Sequence, residues 1–417
     1  VKRSELAEAV SSAVNAVRVF DIHTHLYAPE FGPLLLRGID ELLTYHYLVC
    51  EAFLQAPMPY DKFWSMPRKR QAEHVWEHLF VRSTPVSEAA RGVATIIATF
   101  GLEPGRTTLA ELREFFASLP LEQHLDMVFS KARVDKVVMT NELLDTNEQA
   151  AWEKIRERDP RFLSALRVDG ILNDWKKAAG VLSGAGYAVK TRPDAATYRE
   201  VRRFLADRAD RMSPVYLAAS LPPSFDYPDA SVRGLLFEKS IIPFVRERGL
   251  PLAVMLGVKR RTNPGLRMAG DTLGRADLAA LERLCEANPD IGFLATCLSR
   301  ENQHQLCAVA RVFHNLMVFG CWWFVNAPSM IRELTAERLE LLGTRFVAQN
   351  SDARVLDQLI YKWAHARKVI AEVLTEKYAD LVDSGWALKK TDIERDVTAL
   401  FGVSFPRFAG QKQPQEK

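Results

Sequence analysis

With 417 residues, 48% of them hydrophobic and 26% charged, the chain is long enough for one large enzyme domain with an insertion or for two to three ordinary domains, and too apolar to remain disordered. Lys+Arg (55) and Asp+Glu (52) leave a net charge of +3, which gives neither nucleic acid nor a membrane surface a reason to bind and points to a small ligand. No apolar run approaches the ~20 residues of a bilayer span, the opening Val1-Lys2-Arg3-Ser4-Glu5 lacks the apolar core of a signal peptide, and the scattered Cys50, Cys285, Cys297, Cys307 and Cys321 form no CxxC pair, so the chain reads as cytoplasmic with reduced thiols.

In chain order, the short apolar runs that suit buried parallel strands are Val17 to Ile22, Val134 to Met139, Phe162 to Leu166, Pro214 to Ala219, Pro251 to Leu256, Ile291 to Thr296, Leu316 to Gly320 and Arg345 to Ala348. Helical patterns precede most of them, for example Leu235 to Arg248 and Arg275 to Ala287. Eight such alternations predict an α/β fold, a (β/α)8 TIM-like barrel. Between the first and second runs lie residues rich in helix formers, including Glu41 to Leu54, Glu73 to Phe80, Ser87 to Phe100 and Thr108 to Ser118, with a Pro-rich piece, Ala56 to Pro67, expected to be an ordered loop. The expected organisation is therefore a barrel from 1–30 and 131–409, a helical insertion at its mouth over 31–130, and a flexible polar tail over 410–417. Val355 to Leu374 reads as a long helix.

Asp21-Ile22-His23-Thr24-His25 closes the first run, and the two-residue period of a strand sends His23 and His25 to one side. Strand C-termini face the active site in such barrels, so the pair is placed to hold a divalent ion with neutral nitrogens. An aspartate ending the last strand would add the anionic ligand, and Asp352 follows the eighth run; Ser351 and Asp352 also suit a helix N-cap, and both roles are compatible. Two imidazoles and one carboxylate suit zinc, manganese, iron or nickel.

These segments together resemble the uronate isomerases, a branch of the amidohydrolase superfamily of metal-dependent barrels, over most of the chain. The resemblance is carried by Phe20-Asp21-Ile22-His23-Thr24-His25, Tyr45-His46-Tyr47, Leu166-Arg167-Val168-Asp169, Cys297-Leu298-Ser299, Gly320-Cys321-Trp322-Trp323-Phe324 and Ser351-Asp352-Ala353-Arg354. It implies a barrel of the metal-dependent hydrolase type and one divalent ion, Zn2+, on His23, His25 and Asp352. It also implies conversion of a hexuronate such as D-glucuronate to its keto isomer through a metal-stabilised enediolate. Tyr47, Asp352 and Arg354 match catalytic positions, Arg167 a carboxylate-binding arginine, and His46, Trp322 and Trp323 pocket walls. Tyr47, next to a metal and an arginine, is expected to have a depressed pKa and to act as a phenolate.

The chain departs from the family where Ala218-Ala219-Ser220-Leu221 replaces an Asp-His-Gly segment after the fourth run and Met255 replaces a histidine ending the fifth. Arg260 and Arg267 add positive charge that favours an anionic sugar acid as substrate. A mononuclear metal-dependent hydrolase or decarboxylase of a small organic acid is the alternative on the same scaffold. Apolar helices of the insertion are candidates for a homo-oligomer interface.

Overall fold

The computed structural model describes residues 1–410. The polar tail expected to be flexible lies, apart from Gly410, outside the described residues. The strands are β1 (Val19–Thr24), β2 (Val134–Glu142), β3 (Phe162–Arg167), β4 (Leu217–Leu221), β5 (Leu252–Leu256), β6 (Val258–Lys259), β7 (Thr272–Leu273), β8 (Phe293–Cys297) and β9 (Leu316–Val318). Seven of them form one parallel sheet in the order β1-β2-β3-β4-β5-β8-β9, while β6 and β7 pair as a small antiparallel ribbon. The sheet runs in sequence order with helices between strands, as right-handed β/α units require.

The eighth run does not form a ladder. Val347 makes a single bridge to Phe319, and closure onto β1 comes from loop hydrogen bonds: Asp352 N donates to the His23 carbonyl (3.1 Å), and His25 N donates to the Ala353 carbonyl (2.7 Å). Polar side chains explain the change. In Gln349-Asn350-Ser351-Asp352 every residue is buried, so the backbone is held by side-chain contacts in place of a ladder, beginning with Gln349 Oε1, which accepts from Cys321 N at 3.0 Å. Gly320 permits the turn out of β9: its φ is +62°, and a Cβ there would collide with the Asn350 side-chain oxygen.

Strand alternation produces two cores. Ile22, Val138, Ala165, Ala218, Ala253, Leu294 and Met317 point into the barrel and are capped by Phe405 from the C-terminal segment, whereas Val137, Leu217, Val254, Phe293 and Val318 face the helices. Small alanines opposite Tyr216, Phe319 and Phe405 fill the interior without a channel. Residues 31–130 carry helices and no strand. The helix-rich stretch Glu41 to Leu54 is divided between Ile39–Leu43 and His46–Gln55, and the Pro-rich piece contains a helix, Tyr60–Ser65, where a loop was expected. Pro59 precedes its first turn, where a missing N–H costs nothing. Trp64 Nε1 donates to the Gly265 carbonyl at 2.8 Å, fastening this region to the loop between β6 and β7. All five cysteines are free thiols. No helix among the described residues is long and apolar enough to cross a membrane.

Candidate metal centre

His23 and His25 end β1 with ring centroids 5.4 Å apart. Asp352 Oδ1 lies 3.6 Å from His23 Nε2 and 3.3 Å from His25 Nε2. The donor atoms of the three residues all fall within 4.8 Å of one another, the sole such grouping among the described residues. Asp352 takes φ +52°, and Trp323 takes φ +48°, conformations that ordinary side chains adopt rarely and that concentrate at functional sites.

Hydrogen bonds fix both imidazoles in the tautomer a metal needs. His23 Nδ1 lies 3.3 Å from the Tyr216 hydroxyl, whose own proton is committed to the Ile22 carbonyl at 2.8 Å. His25 Nδ1 lies 2.7 Å from Thr140 Oγ1, whose proton goes to the Thr24 carbonyl at 2.8 Å. Each hydroxyl is left to accept, so each Nδ1 carries the hydrogen and each Nε2 presents a lone pair. His23 Nε2 and Asp352 Oδ1 are buried without a hydrogen-bond partner. Two lone-pair nitrogens and an anionic oxygen that converge, two of the three without a partner, fit a metal ion. Burial, with Arg354 and Arg167 nearby, opposes any added charge on the imidazoles. His23 falls to about 3, despite Asp352, and His25 and His46 fall well below their ordinary range.

Within β1, Asp21 is fully buried and accepts from Ser351 N at 3.2 Å and from Trp363 Nε1 at 2.9 Å. Desolvation raises its carboxyl to about 6, against the lowering effect of those donors. These groups give the metal-free protein a defined acid response. From its ordinary value near 6.5 down to about 3, His23 binds a proton in the unfolded chain but not in the folded one, and His25 and His46 act in the same sense. Asp21 acts oppositely between about 6 and its ordinary 3.8. The imidazoles outnumber the carboxyl, so stability of the metal-free protein is lost as pH falls below about 6.5. Urea unfolding of metal-stripped protein at pH 7 and pH 5 measures this, and equal midpoints would refute it.

The narrow cleft over the triad is walled by Tyr45, His46, Arg167, Ser220, Met255, Arg260, Met268, Trp322, Trp323 and Arg354. Of the residues singled out from sequence, His23, His25, Asp352, His46, Arg167, Arg260, Trp322, Trp323 and Arg354 therefore come together. Two do not. Tyr47 borders the adjoining cavity and leaves its place in the cleft to Tyr45. Arg267 is exposed and stacks on Trp64, its guanidinium 4.6 Å from the ring centroid. Without a metal, burial, Tyr45 and Asp352 all push the Tyr47 phenol well above its ordinary range.

Arg167 is already occupied: it meets Glu142 at 2.9 Å and Asp169 at 2.7 Å, and although burial works against its charge, those carboxylates hold it protonated. Arg260 pairs with Asp271 at 2.7 Å at the mouth. Arg354, with Nε buried and unpartnered, is the arginine left to meet a ligand. Leu221 packs in the outer core, so of the two departures on β4 and β5, Met255 and the neighbouring Ser220 face the cleft. Sequence reasoning missed Thr140 and Tyr216, the orienting hydroxyls. Both sit in or just past predicted strands adjacent to the histidines' side of the barrel, which was the available signal.

A scan of protein-family models finds no match, and a search of curated proteins finds none either. Among solved structures the chain is similar to a uronate isomerase from Bacillus halodurans, at 46% identity and a TM-score of 0.96, covering 99% of this chain and 98% of that one. It also matches a uronate isomerase from Thermotoga maritima (15% identity, TM-score 0.79, covering 97% of each) and a glucuronate isomerase from Caulobacter crescentus (15%, TM-score 0.78, covering 99% and 95%). At 15% identity the last two speak for the fold alone.

Proposed function

Since the chain belongs to the uronate isomerase family, we propose that it interconverts a hexuronate, such as D-glucuronate, with the corresponding keto acid, using a single Zn2+ held by His23, His25 and Asp352. The observation that carries this reading is the 46% identity over the whole chain to a uronate isomerase, with the triad and both orienting hydroxyls in place. When bound, the metal would supply positive charge that holds and polarises substrate oxygens.

The chain's own groups then move protons. Asp352 turns Oδ1 toward the two histidines, which leaves Oδ2 to take the proton from C2. Tyr47, whose phenol is held protonated by burial, serves as the proton donor to the carbonyl oxygen instead of as a phenolate base. Arg354 provides a charged donor to substrate hydroxyls or carboxylate. Trp322 and Trp323 exclude water and offer faces to the sugar's C–H groups.

Zinc-loaded protein incubated with D-glucuronate and D-galacturonate in deuterated water, followed by proton NMR, tests the reading. Formation of the keto acid from at least one sugar is expected, slowed about 100-fold by Tyr47→Phe. If metal is bound but neither sugar reacts nor exchanges its C2 proton, the isomerase reading fails, and hydrolysis or decarboxylation of other small acids becomes the reaction to pursue.

A further inference from the structure

The cleft over the triad is smaller than the ligand proposed for it. It offers about 30 Å³, room for a water or two, whereas the cavity beside it offers about 430 Å³, within the range of small-molecule sites. The two share His46, Met268 and Trp323 as walls. Most of the larger cavity is apolar or aromatic, with Leu266, Phe324 and Tyr361 in its wall, and Tyr47 borders it. It also contains a cation. Lys362, from the helix Gln358–Asp383, lines the cavity and is 3% exposed.

Among the described residues its ammonium makes no hydrogen bond or ion pair; the rings of Tyr47 and Tyr361 lie beside it, with centroids at 5.7 Å and 5.4 Å, and Asp352 and Glu88 act on its charge without pairing with it, against a burial that opposes that charge. The carboxylates that share this cavity are committed elsewhere. Glu88 is held by His365 (2.7 Å) and Arg91 (2.6 Å), Glu51 by Ser87 (2.5 Å) and Asp271 by Arg260 (2.7 Å). A buried ammonium without a counter-ion destabilises the fold, and replacement by an apolar side chain of similar shape would relieve that. Such a group is expected where negative charge arrives from outside.

Resting on the isomerase reading, we propose that this cavity is the second half of the substrate cleft and that Lys362 holds the negative charge that develops at the carbonyl end of the hexuronate as the C2 proton leaves. The direction follows from where cations already lie. A hexuronate has one carboxylate, and the metal triad with unpartnered Arg354 is the stronger anchor for it. The aldehyde end then passes His46 and Trp323 into the larger cavity, beside Tyr47 and Lys362. The C2–H bond breaks where the two cavities join, and its proton goes to Asp352, which walls the smaller one. The released pair forms the C1–C2 double bond, and the C1 carbonyl pair moves onto O1. Asp352 then returns its proton to C1 while the O2 proton passes by way of the Tyr47 hydroxyl to O1, which completes the isomerisation with no oxidant or reductant required. Lys362 meets the charge on O1 only while it exists, which makes its contribution specific to the transition state.

Zinc-loaded wild type, Lys362→Met and Lys362→Arg are compared for D-glucuronate turnover, with a C2-deuterated substrate in parallel. Lys362→Met is expected to lower kcat about 100-fold while KM stays within about threefold, to express a full primary isotope effect, and to melt no lower than wild type; Lys362→Arg is expected to recover to within about tenfold of wild type. A kcat for Lys362→Met within threefold of wild type, a loss carried by KM alone, or a loss that tracks a lowered melting temperature without rescue by arginine would overturn the proposal. Failure of wild type to convert any hexuronate would sink the isomerase reading and this inference with it, whereas wild-type turnover with an indifferent Lys362 sinks the inference alone.

Discussion

Replacing Asp352 by Asn lowers kcat/KM for the hexuronate by at least about 10³-fold and strips most of the metal from the purified protein. Asp352 is the only anion of the triad, and Oδ1 sits 3.3 and 3.6 Å from the two imidazole nitrogens. An amide of the same shape keeps the fold and the positive φ, yet contributes neither a negative ligand nor a base for the C2 proton. A loss of 10³ corresponds to about 4 kcal/mol of transition-state stabilisation. Metal content by elemental analysis separates the two contributions. If the variant retains stoichiometric metal and full activity, Asp352 is neither ligand nor base and the site assignment is wrong.

Asp21→Asn is expected to destabilise the protein by about 3 kcal/mol, because an amide nitrogen would face donors that now point at a carboxylate. Ser351 N and Trp363 Nε1 both donate to it, and its other contact, from His23 N at 3.4 Å, is also a donor. For a chain of this size that is a fall in melting temperature of about 3 °C. Metal affinity drops as well, roughly 10- to 100-fold, since the carboxylate holds the loop that presents Asp352 against the strand that presents the histidines. Thermal unfolding with and without added zinc measures both, and a variant with unchanged melting and unchanged metal retention would show that Asp21 does not hold the seam.

Most of the barrel was legible because period and composition agree. Runs such as Leu252–Leu256 and Phe293–Cys297 are buried on both faces, so they read as continuous apolar stretches. The eighth segment could not be read the same way. Gln349, Asn350 and Ser351 are buried without being apolar, and hydrogen bonds made by the side chains of Gln349, Ser351 and Asn326 do the work a ladder does elsewhere. The triad was visible because metal ligands are few in type and fixed at strand ends. The occupation of Arg167 by Glu142 and Asp169 was not, because it depends on which side chains meet across β2 and β3. The same applies to Tyr45 and Tyr47, where a helix beginning at His46 decides which phenol faces the metal cleft. Breaks within helices, such as the one at Thr44 and Tyr45, escaped notice because the apolar spacing continues across them.

The seam between β1 and the segment after β9 joins positions 330 residues apart, and this has a bearing on biosynthesis. The histidine pair leaves the ribosome more than 300 residues before Ser351, Asp352 and Trp363 do. Until then the nascent protein has two imidazoles and no third ligand, and Asp21 has no donors, so an early-bound ion is weakly held and readily lost. Closing so long a loop carries an entropic penalty that only completed contacts offset. On the proposed ligand set, metal capture comes only once β1 and the segment after β9 have met, so retention of an ion would report that closure.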